Sequence, residues 1–136
     1  MEKVTGAIKG QYDVVKARQE AREMARNLGF GSADQTRLAT AVSELTRNVI
    51  QHASNGMYII SDNSDQQLIA IQAVVEDNGP GIPYIEKALE YGYTTKRGLG
   101  AGLPGTKRLV NNFEIESRPG YTKVTISIAK KRRYMR

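Results

Sequence analysis

The run Leu68-Ile-Ala-Ile-Gln-Ala-Val-Val75 is apolar at every position except Gln72, and it constrains the fold more than any other stretch of the chain. A strand with one wet face alternates apolar and polar side chains. A strand apolar on nearly both faces belongs inside a sheet, with layers or ligand on each side. Residues Leu68–Glu76 are therefore expected as a central strand, paired in an antiparallel hairpin with Met57–Ser61 across the turn-rich Asp62-Asn-Ser-Asp65. The strand ends at Asp77, beside two glycines.

Around this strand the pattern changes to helical spacing. Val4–Ile8 reads as a short first strand. Val14, Ala17, Ala21, Met24, Ala25 and Leu28 then form one helical stripe that Gly29 stops. Ser32 and Gln35 fit a capping box for a second helix, about Asp34 to Ala53, with Leu38, Val42, Leu45 and Val49 inward. A short helix is expected over Tyr84–Tyr91, a mobile glycine-bearing loop over Gly92–Leu103, and a helix over Pro104–Val110 that Pro104 starts. Phe113–Ser117 and Tyr121–Ala129 form a closing hairpin across Arg118-Pro-Gly120. This order predicts an α+β two-layer sandwich, a mixed β-sheet with helices on one face.

A chain of 136 residues is one domain's worth, and it contains no repeat or linker. The absence of cysteine excludes disulfides, thiolate zinc sites and cysteine nucleophiles, and a single histidine leaves no His-rich metal cluster. No apolar run approaches a membrane span, and Val4–Ile8 is too short for a signal-peptide core, so a cytoplasmic protein is expected. The net charge of +6 invites a nucleic-acid reading. Five of the positive charges lie in the tail 130–136, however, leaving fifteen basic against fourteen acidic residues, a net +1, in residues 1–129. That tail is expected as a solvated, frayed terminus, and the body carries no nucleic-acid fingerprint.

Three segments carry chemistry. Glu44 and Asn48, four apart on the second helix, project from one face and can address one ligand. A carboxylate there can take a proton from a hydroxyl, and an amide oxygen suits Mg²⁺ among phosphate oxygens. Asp77-Asn-Gly79-Pro-Gly81 follows the central strand; a carboxylate accepts an exocyclic amine, and glycine lets the backbone approach a flat ring. Gly98-Leu-Gly100-Ala-Gly102-Leu103 exposes backbone N–H groups just before a helix N-terminus, where phosphates bind. Singly these describe an amphipathic helix, a turn and a loop. Two formal matches in the last segment fail: no strand precedes its G-x-G-x-x-G, and Gly105-Thr-Lys107 reverses the P-loop order.

Together, and in this order, the segments resemble the N, G1 and G2 boxes of the GHKL superfamily of ATPases and kinases. The lid sequence Gly98-Leu-Gly-Ala-Gly-Leu-Pro-Gly105, with Ser43-Glu-Leu-Thr-Arg-Asn48 and Glu76-Asp-Asn-Gly-Pro-Gly-Ile-Pro83, is similar to the RsbT-like switch-protein serine/threonine kinases of bacterial stressosomes. The resemblance implies a Bergerat ATP-binding fold with ATP and Mg²⁺ as cofactors. In that family Glu44 would be the general base and Asn48 the Mg²⁺ ligand. Asp77 would read adenine, Gly79 and Gly81 would shape the pocket, and Gly98, Gly100, Gly102 and Leu103 would form the lid over the γ-phosphate. Thr122, in Tyr121-Thr-Lys-Val124, matches a threonine that helps hold adenine, although Tyr121 replaces the family's glycine. Lys96 or Arg97 would neutralise developing charge. The implied substrate is a Ser or Thr of a STAS-domain partner of the RsbS or RsbR kind, after which the kinase activates a downstream phosphatase or other output protein. No nucleic acid or membrane is implied. The alternative is an anti-sigma factor or nucleotide-gated module that sequesters a partner.

Overall fold

A computed structural model describes residues 2–82 and 102–133. The helix expected over Tyr84–Tyr91 lies outside the described residues, as do Lys96, Arg97, Gly98 and Gly100. The elements run β1 (Lys3–Ile8), α1 (Gln11–Asn27), α2 (Ser32–Ala53), β2 (Gly56–Asp62), β3 (Leu68–Asp77), α3 (Gly102–Leu109), β4 (Asn112–Arg118) and β5 (Tyr121–Lys131). The sheet order is β1-β2-β3-β5-β4, which puts the apolar β3 at its centre as expected.

The α+β sandwich forms, but the sheet is antiparallel at every described pairing rather than mixed. Two helices, not one, join β1 to β2. A single crossover helix delivers the chain to a parallel neighbour, whereas a helical hairpin returns it to the end it left. Ile8, the last residue of β1, accordingly pairs with Gly56, the first of β2. The turn of that hairpin is a Schellman motif: Gly29, at φ +87°, donates to Arg26 O, and the Phe30 amide donates to Ala25 O, both at 3.0 Å. Phe30 follows it into the core.

Helices α1 and α2 cover one sheet face. The predicted stripe of α1, Val14, Ala17, Ala21, Met24 and Ala25, is buried against Ile8, Tyr58 and Ile60, and Leu38, Val42, Leu45 and Val49 of α2 complete the core with Ile71, Val75, Val124, Ile126 and Ile128. On the other face of β3, where layers or ligand were expected as well, Ala70 and Val74 are buried with no second helical layer over them among the described residues. No described helix is long and apolar enough to cross a membrane.

Three local expectations are revised. The capping box of α2 does not form: Gly31 is the N-cap, Ser32 is the first helical residue, and the Gln35 side chain donates to Phe30 O at 2.8 Å instead. Helix α3 starts at Gly102 rather than Pro104; a proline within the first turn sacrifices no helical hydrogen bond, because those N–H groups have no partner there. The basic tail is not frayed throughout. Lys130 and Lys131 extend β5, Lys130 Nζ donates to Gly29 O and lies 5.2 Å from the Phe30 ring, and Arg132 Nε donates to Asp65 O at 2.7 Å.

Gly56 sits at the start of β2, where the end of the sheet meets α2. A Cβ there would lie 2.2 Å from Glu76 O and 2.9 Å from a Val49 methyl, while one at Gly105 in α3 would meet nothing within 4 Å. Gly56→Ala is expected to cost about 1–3 kcal/mol, as overpacking against backbone does. Gly105→Ala is expected to add about 0.5–1 kcal/mol by raising helix propensity. Urea midpoints with unchanged slopes check both.

Candidate functional site

One cleft opens between α2 and the ends of β3 and β5, lined by Asn48, His52, Asp77, Gly81, Leu103 and Thr122 among others. Its floor follows from register. Val75 pairs with Val124 and Asp77 with Thr122 across β3 and β5, so the carboxylate and the hydroxyl stand directly opposite each other on the helix-facing side. Thr122 lands there despite the departure at Tyr121. The turn is closed by Pro119-Gly120, with Gly120 at φ +90° as a type II turn requires, and Tyr121 begins the strand normally. Being adjacent to Thr122, Tyr121 faces the other side of the sheet, where its hydroxyl donates to Glu76 at 2.8 Å and Arg118 lies 4.5 Å over its ring.

Asp77 is partly buried, and the Gly79 amide donates to its Oδ1 at 2.9 Å. Burial pushes its carboxyl above the usual aspartate range, against the opposing pull of the Gly79 N–H and of nearby His52. The two glycines of this loop are required by packing on the protein itself. A Cβ on Gly79 would lie 2.6 Å from the Ala53 Cβ, and one on Gly81, at φ +82°, would lie 2.4 Å from the Arg118 carbonyl. They let the strand exit thread between the last turn of α2 and the β4–β5 hairpin, which shapes the cleft wall from behind.

At the other end, Glu44 and Asn48 emerge from one face of α2. The Glu44 Oε1 is held by Arg47 at 2.8 Å. A Cβ on Gly102 would lie 3.0 Å from Glu44 Oε2 and 3.8 Å from Asn48 Nδ2, so the end of the glycine-rich segment rests on this pair. Leu103, 2% exposed, turns into the cleft, and the Thr106 hydroxyl donates to Gly102 O at 2.7 Å, fixing the first turn of α3. Asn48, Asp77, Gly81, Leu103 and Thr122 thus line one cleft; Glu44 and Gly102 meet beside Asn48, and Gly79 packs behind the wall on Ala53.

Two residues of the site, one lining the cleft and one behind it, escaped the sequence reading. His52 lies four residues past Asn48, so the periodicity that paired Glu44 with Asn48 extends to it and was a usable signal. Ser117 hydrogen-bonds Thr122 at 2.7 Å, and only the hairpin register reveals it.

Residues 11–128 match the histidine kinase-like ATPase domain family. The chain is 46% identical over 110 residues to the serine/threonine-protein kinase RsbT of Bacillus subtilis (strain 168), covering 81% of this chain and 83% of RsbT. Among solved structures it superposes on the RsbU and RsbW domains of Rv1364c from Mycobacterium tuberculosis with a TM-score of 0.67 and 16% identity, over 100% of this chain but only 35% of that one. It also superposes on the catalytic domain of the histidine kinase ThkA with a TM-score of 0.59 and 21% identity, over 96% of this chain and 99% of ThkA's domain. At these identities the structural likeness speaks to the fold.

The raised Asp77 pKa has a signed consequence. The folded protein holds this proton more tightly than the unfolded chain, so stability falls as pH rises from the ordinary value of 3.8 through the raised one. Asp77→Asn, which cannot ionise, is expected to be more stable than wild type at neutral pH, with the gap closing on acidification toward pH 3.8. Thermal melts of both proteins across pH check this; a gap that widens on acidification would contradict it.

Proposed function

The chain belongs to the histidine kinase-like ATPase domain family, and from that premise we propose that it transfers the ATP γ-phosphate to a Ser or Thr of a STAS-domain partner, RsbS-like or RsbR-like, in a cytoplasmic partner-switching stress pathway. The RsbT-like sequence over most of its length makes it a protein serine/threonine kinase. Release from the phosphorylated partner then frees it for a downstream phosphatase or other output protein.

The observation that carries this reading is one cleft that holds Asp77 opposite Thr122 and also Asn48, which Gly102 packs against together with Glu44. Ionised Asp77 accepts the exocyclic amine of adenine, and the apolar Val75, Val124 and Leu103 take the ring. Glu44 has one oxygen engaged by Arg47, which leaves Oε2, the atom facing Gly102, to accept the proton of the attacking hydroxyl. In this reading Asn48 meets the phosphates beside Gly102, and the family's lid role falls to Gly98 and Gly100 by sequence alone.

Among the described residues no group of three or more His, Asp or Glu side chains forms a metal cage. One amide oxygen at the phosphate end nevertheless fits Mg²⁺, which takes few protein ligands and the rest from phosphates and water. When bound, that ion supplies positive charge to the phosphate oxygens. Positioning and electrostatics, rather than covalent chemistry, are what this protein contributes to phosphoryl transfer.

Glu44→Gln is expected to keep ATP and partner binding while slowing single-turnover transfer by about 10²–10⁴-fold, the usual contribution of a general base. Asn48→Ala is expected to abolish Mg²⁺-dependent transfer. Calorimetric titration with ATP beside transfer from labelled ATP to candidate STAS proteins measures both. Wild-type transfer rates in Glu44→Gln would remove the base assignment. ATP binding by wild type with no phosphorylation of any STAS protein would replace the kinase by a nucleotide-gated binding module.

A further inference from the structure

Ser117 lies outside the three motif segments, yet its hydroxyl joins three pieces of the site. The Ile82 amide, at the end of the Asp77–Gly81 loop, donates to it at 2.8 Å; the Thr122 hydroxyl lies 2.7 Å away and the Tyr121 carbonyl 3.3 Å away. Ser117 pairs with Thr122 across β4 and β5, as Thr122 does with Asp77 across β5 and β3. The three side chains therefore form one row on the helix-facing side, and the last two line the cleft.

A hydroxyl has one proton and two lone pairs. Ser117 uses a lone pair on the Ile82 N–H, and its proton can go to Thr122 or to the Tyr121 carbonyl. The first distance, 2.7 Å, is that of a good O–H···O bond, and the second, 3.3 Å, that of a long and weak one, so the proton favours Thr122. With Ser117 donating, the Thr122 oxygen is an acceptor on that side, and its own proton is directed away from Ser117, toward the cleft. Asp77, once ionised, offers only acceptors. The floor of the cleft then presents an acceptor and a donor side by side. Adenine presents the complement, an amine at C6 and a lone pair on the adjacent N1. Guanine reverses both and meets the wrong partner at each point.

We propose that Ser117 is a positioning residue that fixes the Thr122 hydroxyl as a donor to N1 of the base, directly or through one water, while anchoring the Asp77–Gly81 loop through Ile82. This rests on the ATP reading above. Ser117 touches no nucleotide itself; it acts through Thr122 and the loop.

The test compares ATP with 1-deaza-ATP, whose ring carries C–H in place of N1, by calorimetric titration on wild type, Ser117→Ala and Ser117→Thr. Wild type is expected to prefer ATP by about 3- to 10-fold, the span of one hydrogen bond. Ser117→Ala is expected to weaken ATP by a similar factor and to lose most of that preference, with the transfer rate at saturating ATP unchanged. Ser117→Thr, which keeps the hydroxyl, retains the preference. If the alanine variant does not fold, Ser117→Cys serves in its place, since a thiol is a weak donor of similar size. A Ser117→Ala or Ser117→Cys protein that keeps the full preference overturns the assignment and leaves the ATP reading standing. Failure of wild type to bind ATP overturns both.

Discussion

The cross-strand pairing of β3 with β5 is the constraint on which the rest of the molecule depends. It sets Asp77 against Thr122 at the cleft floor and Val75 against Val124 beneath them, and it continues inward as Ala73 with Ile126 and Ile71 with Ile128. The same row of side chains therefore serves as core at one end and as binding surface at the other. Because strand periodicity is two, a slip of one residue would turn Thr122 to the opposite face and bring Tyr121 into the cleft. The Tyr121–Glu76 hydrogen bond on the outer face ties the two strand ends together at the position where such a slip would matter.

Helix α2 carries the second half of the site and is held by the same core. Its buried side, Leu38, Val42, Leu45 and Val49, fixes its rotation over the sheet, and that rotation delivers Glu44, Asn48 and His52 along one edge. Close contacts then lock the loops to this frame. Gly56 and Gly79 pack against Val49 and Ala53 of α2, and Gly81 packs against the β4–β5 hairpin, at distances that leave no room for a side chain. Within the ATP reading, recognition of the base and handling of the phosphates belong to different elements, whose separation the hydrophobic core sets.

Much of this was legible in the sequence because it rests on periodicity. The apolar run of β3, the stripes of α1 and α2, and the two hairpins appear at their expected places, and Glu44 and Asn48 share a face for the reason their spacing gives. Strand direction was less legible: the spacing shows two helices between β1 and β2 but not that they fold back to the same sheet end. The capping box failed because Gly31, with no side chain to offer, took the N-cap that Ser32 was expected to fill. Ser117 was invisible for a different reason, since its role comes from partners 35 and 5 residues away, Ile82 and Thr122, which only the folded register brings together.

The central claim is that one cleft binds ATP with its base between Asp77 and Thr122 and its phosphates beside Asn48. Backbone amide chemical shifts followed by NMR during titration with Mg²⁺ and a non-hydrolysable ATP analogue test it most directly. The account predicts shifts in two groups, at Gly79, Gly81 and Thr122 and at Asn48, Gly102 and Leu103, saturating together. Shifts confined to one group, or centred on the outer face of the sheet around Met57, Val74 and Thr125, would contradict it.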